Sequence, residues 1–249
     1  SIRRQRQMCI RDSLYTKKDK KIFQGRKQMK KMPRFAVVLS GCGRADGSEI
    51  HEAVTALLAI DCAGCAYRCF APDIEQAAVI NNLTSEKMEE RRNVLVESAR
   101  IARGDIKPLN ELNVGDFDCI VFPGGLGAVT NWCDFADKGI NCTVESSVSR
   151  VLEDAYKNKL VIGAMCIAPV TVSKVLGKYG ITVTIGNDKT VAKTIELTGA
   201  RHQDTPVTEA CIDAKHRVVT TPAYMLAKSV REVCEGADAM VKAMVALAE

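Results

Sequence analysis

Cys166 has the most distinctive chemical setting in the chain. It follows the apolar run Leu160-Val161-Ile162-Gly163-Ala164-Met165 and precedes Ile167-Ala168-Pro169. An apolar strand that stops at a thiol, with a proline tolerated in the first helical turn beyond it, predicts a strand-to-helix elbow. Exposed backbone N–H groups and the positive helix end at such an elbow favour thiolate over thiol and so make a nucleophile. The competing reading is a small buried thiol that only packs.

Pro123-Gly124-Gly125-Leu126-Gly127 closes a second apolar run, residues 118–122. Gly124 and Gly125 can bring backbone donors close to a ligand and so stabilise the oxyanion formed when a thiolate attacks a carbonyl; the plainer alternative is a tight turn. A nucleotide P-loop is excluded because the Lys-Ser/Thr ending is missing. Glu49 lies at a helix start beyond the first strand, on the sheet edge expected to carry Cys166. There it either pairs with the thiol, moves a proton and positions an aldehyde, or merely supplies favourable charge to the helix end. Glu52, one turn on, is the weaker substitute, and His51 points elsewhere on an ideal helix.

The chain has three histidines, His51, His202 and His216. No spacing sets one beside Cys166. His202 is the possible auxiliary, reaching the thiol through the loop after Gly199, whereas His216 is expected to be solvated at a hairpin turn. A full Cys-His-acid triad is therefore not expected. Cys62-Ala63-Gly64-Cys65 has redox spacing but no second pair, so packing is favoured over metal binding. Gly41-Cys42-Gly43 lacks the spacing of a dinucleotide fingerprint. Trp132 is a lone aromatic whose default role is packing.

Elements that could position these groups alternate along the chain. Strands are expected at 34–39, 66–70, 118–122, 160–164 and 182–185, with a hairpin from 210–213 and 218–220. Helices are expected from about Ser48 to Cys62 and over 86–102, 144–156, 189–197 and 223–233, the last opened by Thr221-Pro222, with Gly236 breaking it from a further helix at 237–247. This order makes one doubly wound sheet the economical solution, with active residues at the carboxyl ends of its strands.

Charge is divided unevenly. Residues 1–34 hold thirteen Lys and Arg against two Asp, so that the chain's +5 leaves a net −6 over 35–249. The body is acidic, and neither the overall charge nor any basic-aromatic surface argues for nucleic acid. The basic leader, 1–31, reads as a transit peptide, as a disordered anionic-surface arm, or as foreign sequence. We favour the last, because Arg6-Gln7-Met8-Cys9-Ile10-Arg11-Asp12-Ser13 looks like translated adapter sequence, with a natural start at Met29 or Met32. Ten cysteines follow the leader, many in apolar runs, which points to free thiols in a reducing, cytoplasmic setting, or a mitochondrial one if the leader is genuine. No stretch is long and apolar enough for a membrane span.

Residues 32–249 resemble the ElbB-like branch of the PfpI-type, class I glutamine-amidotransferase-like superfamily. The resemblance rests on Leu39-Ser-Gly-Cys-Gly43, Asp46-Gly-Ser-Glu-Ile-His-Glu-Ala-Val54, Asn93-Val-Leu95, Ala99-Arg-Ile-Ala-Arg-Gly104, Pro123-Gly-Gly125, Met165-Cys-Ile-Ala-Pro169 and Thr220-Thr-Pro-Ala-Tyr-Met225. It implies a flavodoxin-like three-layer α/β/α sandwich with a mainly parallel sheet, Cys166 as nucleophile and Glu49 as its acidic neighbour. It also implies a cofactor-independent, metal-free glyoxalase-like lyase and a homodimer. A small 2-oxoaldehyde would become a 2-hydroxy acid through a Cys166 hemithioacetal, with backbone groups near Gly124, Gly125 and Ile167 holding oxygen charge. A redox-responsive or regulatory binding protein, and an amidohydrolase, are the competing readings.

Overall fold

Along the first strand, β1 (Arg34–Val38), every second side chain turns to the same side, and both sides are apolar. Phe35 and Val37 enter one core, Ala36 and Val38 the other, and all four are fully buried. A strand apolar on both faces needs cover on both. The computed structural model, which describes residues 32–249, supplies it with two helical layers.

The strands in chain order are β1, β2 (Ala66–Ala71), β3 (Val79–Ile80), β4 (Lys87–Met88), β5 (Ile106–Pro108), β6 (Cys119–Phe122), β7 (Val161–Met165), β8 (Thr182–Val183), β9 (Arg201–His202), β10 (Cys211–Asp213) and β11 (Val218–Thr221). Seven form the central sheet in the order β10-β11-β7-β6-β1-β2-β5. All neighbours are parallel except β10 and β11, which form the expected antiparallel hairpin.

The helices are α1 (Ile50–Cys62), α2 (Val94–Ile101), α3 (Gly127–Thr130), α4 (Phe135–Lys138), α5 (Ser146–Lys157), α6 (Ala168–Leu176), α7 (Lys189–Leu197) and α8 (Val230–Ala248). One core joins the sheet to α1 and α8 through Ala53, Ala56, Ile60, Val233, Met240 and Met244. The other joins it to α5 and α6 through Val148, Val151, Leu152, Val172 and Leu176. This is the three-layer α/β/α sandwich with a mainly parallel sheet, of flavodoxin-like type.

Two expected helices differ. Residues 86–93 are not helical: β3 and β4 pair as a small hairpin, and helix begins only after Asn93, whose side chain accepts the Val96 N–H and donates to Asp73. Residues 223–229 form a short 3-10 turn and a bend, and α8 starts after the Ser229 cap. Gly236 does not break α8. A Cβ there would lie 2.7 Å from the Val207 carbonyl and 2.8 Å from Thr221 Oγ1, so the position is kept small by packing. The leader 1–31, and the readings of it, lie outside the described residues.

Candidate active site at the β7 elbow

β7 ends at Met165, and the chain turns sharply at Cys166 into α6. Cys166 has φ 57°, a left-handed conformation that an L-residue adopts only when its surroundings impose it. Its N–H donates to the Thr221 carbonyl at 3.0 Å, tying the elbow to the end of β11. The thiol is buried, with 8% of the residue exposed. The backbone N–H groups of Gly125 and Ile167 point at the sulfur and favour its charged form. Burial opposes them, followed by the Glu52 carboxyl beside it, and the thiol is held well above its ordinary range. The expected lowering by the helix end is thus outweighed.

The acid beside the thiol is Glu52, not Glu49. Glu49 is the N-cap of α1: its carboxylate accepts the Glu52 N–H at 2.8 Å, and its own N–H donates to the Gly124 carbonyl at 2.9 Å. Glu52 is the third residue of α1, where a glutamate ordinarily reaches back to the cap N–H. That N–H is already taken by Gly124, so the Glu52 side chain turns to the sheet edge instead. It is fully buried, and its Oε1 accepts the Tyr224 N–H at 3.1 Å. Oε2 makes no hydrogen bond of ordinary geometry and faces the thiol and the Gly124 N–H. Burial pushes the carboxyl up to about 7, the Glu49 charge adds to this, and Tyr224 N–H, the thiol and Gly124 N–H work against it.

Gly124 lies between the pair. A Cβ there would sit 2.5 Å from Cys166 Cβ and 2.5 Å from Glu52 Oε2, so any side chain would wedge acid and thiol apart. Of the candidates in the sequence, Cys166, Gly124, Gly125 and Ile167 meet at one point, and Glu49 stands one step behind.

The histidines stand elsewhere. His202 lies on β9, where its Nε2 accepts the Ile185 N–H at 3.2 Å and its Nδ1 faces Asp204 at 3.5 Å. Burial lowers its pKa, so it stays neutral, and none of its contacts is with Cys166. His216 is not solvated: its side chain is buried against Asp213 at 2.7 Å. His51 is tied to the site by a longer route, its Nδ1 lying 2.7 Å from the hydroxyl of Tyr224, whose N–H holds Glu52. Tyr224 was legible only as part of the Thr220–Met225 motif. Trp132 is wholly buried, its indole N–H donating to the Leu39 carbonyl at 3.2 Å.

No family model matches the chain. Among curated proteins it is similar to the mitochondrial ES1 protein homolog of Rattus norvegicus, 43% identical over 224 residues, covering 86% of this chain and 84% of that protein. It is also similar to the mitochondrial glutamine amidotransferase-like class 1 domain-containing protein 3 of Homo sapiens, at 42% identity with 86% and 83% coverage. The mitochondrial ES1 protein of Danio rerio is 32% identical, with 76% of each chain covered. These relatives contradict the cytoplasmic expectation: free buried thiols report a reducing compartment, and the mitochondrial interior is one as well. Among solved structures, an isoprenoid biosynthesis protein with amidotransferase-like domain from Ehrlichia chaffeensis superposes with a TM-score of 0.83 at 35% identity, over 87% of this chain and 100% of that one. DJ-1beta of Drosophila melanogaster, with a TM-score of 0.50 at 19% identity over 87% and 91%, shares the fold. The chain belongs to the family of the ES1 and glutamine amidotransferase-like class 1 proteins.

Proposed function

We propose that the protein is a cofactor-independent enzyme that converts small 2-oxoaldehydes to 2-hydroxy acids through Cys166, with Glu52 in the acid-base role that the family resemblance implied for Glu49. The observation that carries this reading is the pairing of a buried thiol with a buried carboxyl, which burial pushes up to about 7. A group of that pKa is half ionised at neutral pH, the condition under which it both takes and returns protons efficiently.

In the proposed sequence the Glu52 carboxylate takes the thiol proton as sulfur bonds to the aldehyde carbon. The carbonyl electron pair moves to oxygen, held by the Gly125 and Ile167 N–H groups, and Glu52 passes the thiol proton to that oxygen, giving the hemithioacetal and restoring the carboxylate. Glu52 then removes the proton on that carbon, the electron pair shifts to the second carbonyl oxygen as an enediolate, the hydroxyl proton of the first oxygen passes to the second, and as the first carbonyl re-forms the second carbon takes the proton back from Glu52. The product is a thioester of the 2-hydroxy acid, which water cleaves to free acid and thiol. Metal and cofactor have no part in this sequence. The expected homodimer remains a proposal, checked by light scattering on the full chain, and so does a mitochondrial site of action, which rests on the relatives and is checked by imaging the tagged protein.

The test is conversion of methylglyoxal to lactate by wild type, Cys166→Ala and Glu52→Gln. Turnover is expected to be lost in Cys166→Ala and to fall sharply in Glu52→Gln, and equal turnover in the cysteine variant would sink the reading. Against redox sensing, the thiol is buried and held protonated, whereas peroxide-sensitive cysteines are exposed thiolates. Against amidohydrolysis, no histidine contacts Cys166 among the described residues.

A further inference from the structure

At the opposite edge of the sheet from Cys166, where β7 and β11 begin, the chain enters each strand through a left-handed residue carrying a cation: Lys159 (φ 60°) before β7 and Arg217 (φ 58°) before β11. The two turns wall a cavity of about 510 Å³, which Lys157 and Lys215 also line. Four cations thus border one cavity in a body that is otherwise net acidic.

The nearby acids are already engaged. Glu153 holds Lys178 at 2.5 Å and the Tyr179 hydroxyl at 3.0 Å, with Lys157 farther off at 3.6 Å. Asp213 holds His216 at 2.7 Å and the Thr182 N–H at 2.7 Å. Lys159, Lys215 and Arg217 have no ion-pair partner among the described residues, and Arg217 Nε is buried without a hydrogen-bond acceptor. A buried donor without an acceptor carries the full cost of its lost hydration, and Arg217 and the three lysines that border this cavity hold positive charge that no neighbouring acid neutralises in full.

We propose that this cleft binds the phosphate groups of a small phosphorylated molecule carrying two or more negative charges. Phosphate oxygens accept several charge-assisted hydrogen bonds at once, and a planar guanidinium with lysines around it matches that geometry. The cavity wall bears on which part of the ligand is recognised. Tyr156 stacks on Tyr179 at 4.2 Å and lies 6.4 Å from the His216 ring. The charged lining assigns recognition to the phosphate groups, with the organic portion adding little. The cleft is about 15–20 Å from the thiol along β7, so it is a second site.

The test is an amide NMR titration of the full chain with pyrophosphate, ADP and adenosine, which resolves the cleft from the basic leader. Pyrophosphate and ADP are expected to shift the amides of residues 158–160 and 214–218 in a saturable way with similar affinity, and adenosine to shift none. Lys159→Gln/Lys215→Gln should weaken pyrophosphate binding about tenfold or more. Lys242→Gln on α8 and Cys166→Ala should leave it unchanged. Lys215→Glu, at the hairpin tip, repeats the test with one surface change. Absence of saturable shifts at the cleft, unchanged affinity in the cleft variants, equal loss in the Lys242 variant, or adenosine binding as well as ADP would each overturn the assignment.

Discussion

Glu49 and Glu52 are one helical turn apart and have different surroundings, so substitutions separate them. Glu52→Gln keeps the shape and the Tyr224 N–H bond but cannot take a proton. On the proposed reading, kcat/KM falls by about a hundredfold or more while methylglyoxal still enters the site. Glu49→Gln leaves the Cys166 surroundings in place and removes a charged cap, so its expected effect is a loss of about 1 kcal/mol in urea unfolding with kcat within a few-fold of wild type. The reverse ranking would return the acid-base role to Glu49.

The Glu52 carboxyl also sets two pH dependences. Activity needs its ionised form, so kcat/KM should rise with pH along an acid limb centred near 7. Stability runs the other way. The carboxyl is raised from 4.5 to about 7 on folding, so its contribution is fully present below 4.5 and is lost as pH rises through 7. Glu52→Gln lacks this slope. Its stability relative to wild type should improve between pH 5 and pH 8, by on the order of 2–3 kcal/mol, in paired urea melts. A constant difference would mean that the carboxyl titrates normally in the fold.

At the scale of elements, two glycines mark where strand ends and helices crowd the site. Gly124→Ala would insert a methyl between Cys166 and Glu52, and turnover is expected to fall by at least about a hundredfold through loss of alignment. Gly236→Ala weighs two opposing effects. Alanine improves helix propensity by about 1 kcal/mol. The clash with the Val207 carbonyl and Thr221 Oγ1 costs about 1–3 kcal/mol because neither neighbour is a flexible chain end. The net expectation is a lower thermal midpoint; a higher one would show that α8 can move away from the end of β11.

At the scale of the whole molecule, the same sheet is the floor of both cores, and side chains alternate between them along every central strand. Neither helical layer can leave without exposing the sheet. Trp132, the single tryptophan, is wholly buried on one face and packs edge-to-face on Phe122 at 5.5 Å. Its fluorescence in denaturant is therefore expected to change at the same midpoint as the far-ultraviolet circular dichroism of the full chain. Separated midpoints would show that the α5–α6 layer opens before the rest.

The sequence by itself determined the parts that depend on neighbours along the chain. Apolar runs ending in Gly124-Gly125 and in Cys166 mark parallel strands and their turns, and the hairpin of β10 and β11 shows in its alternation and spacing. Cys166, Gly124 and Gly125 stood out for the same reason, whereas Ile167 entered through the family resemblance. Which of two glutamates meets the thiol was not, because it turns on a hydrogen bond between residues far apart in sequence: Gly124 takes the N–H of Glu49 and so frees Glu52. The thiol's charge state was likewise decided by burial and by Glu52, both absent from a local reading of a helix end. Only the tertiary structure settles those, since both are set by what lies across the sheet edge and not by what lies next in the chain.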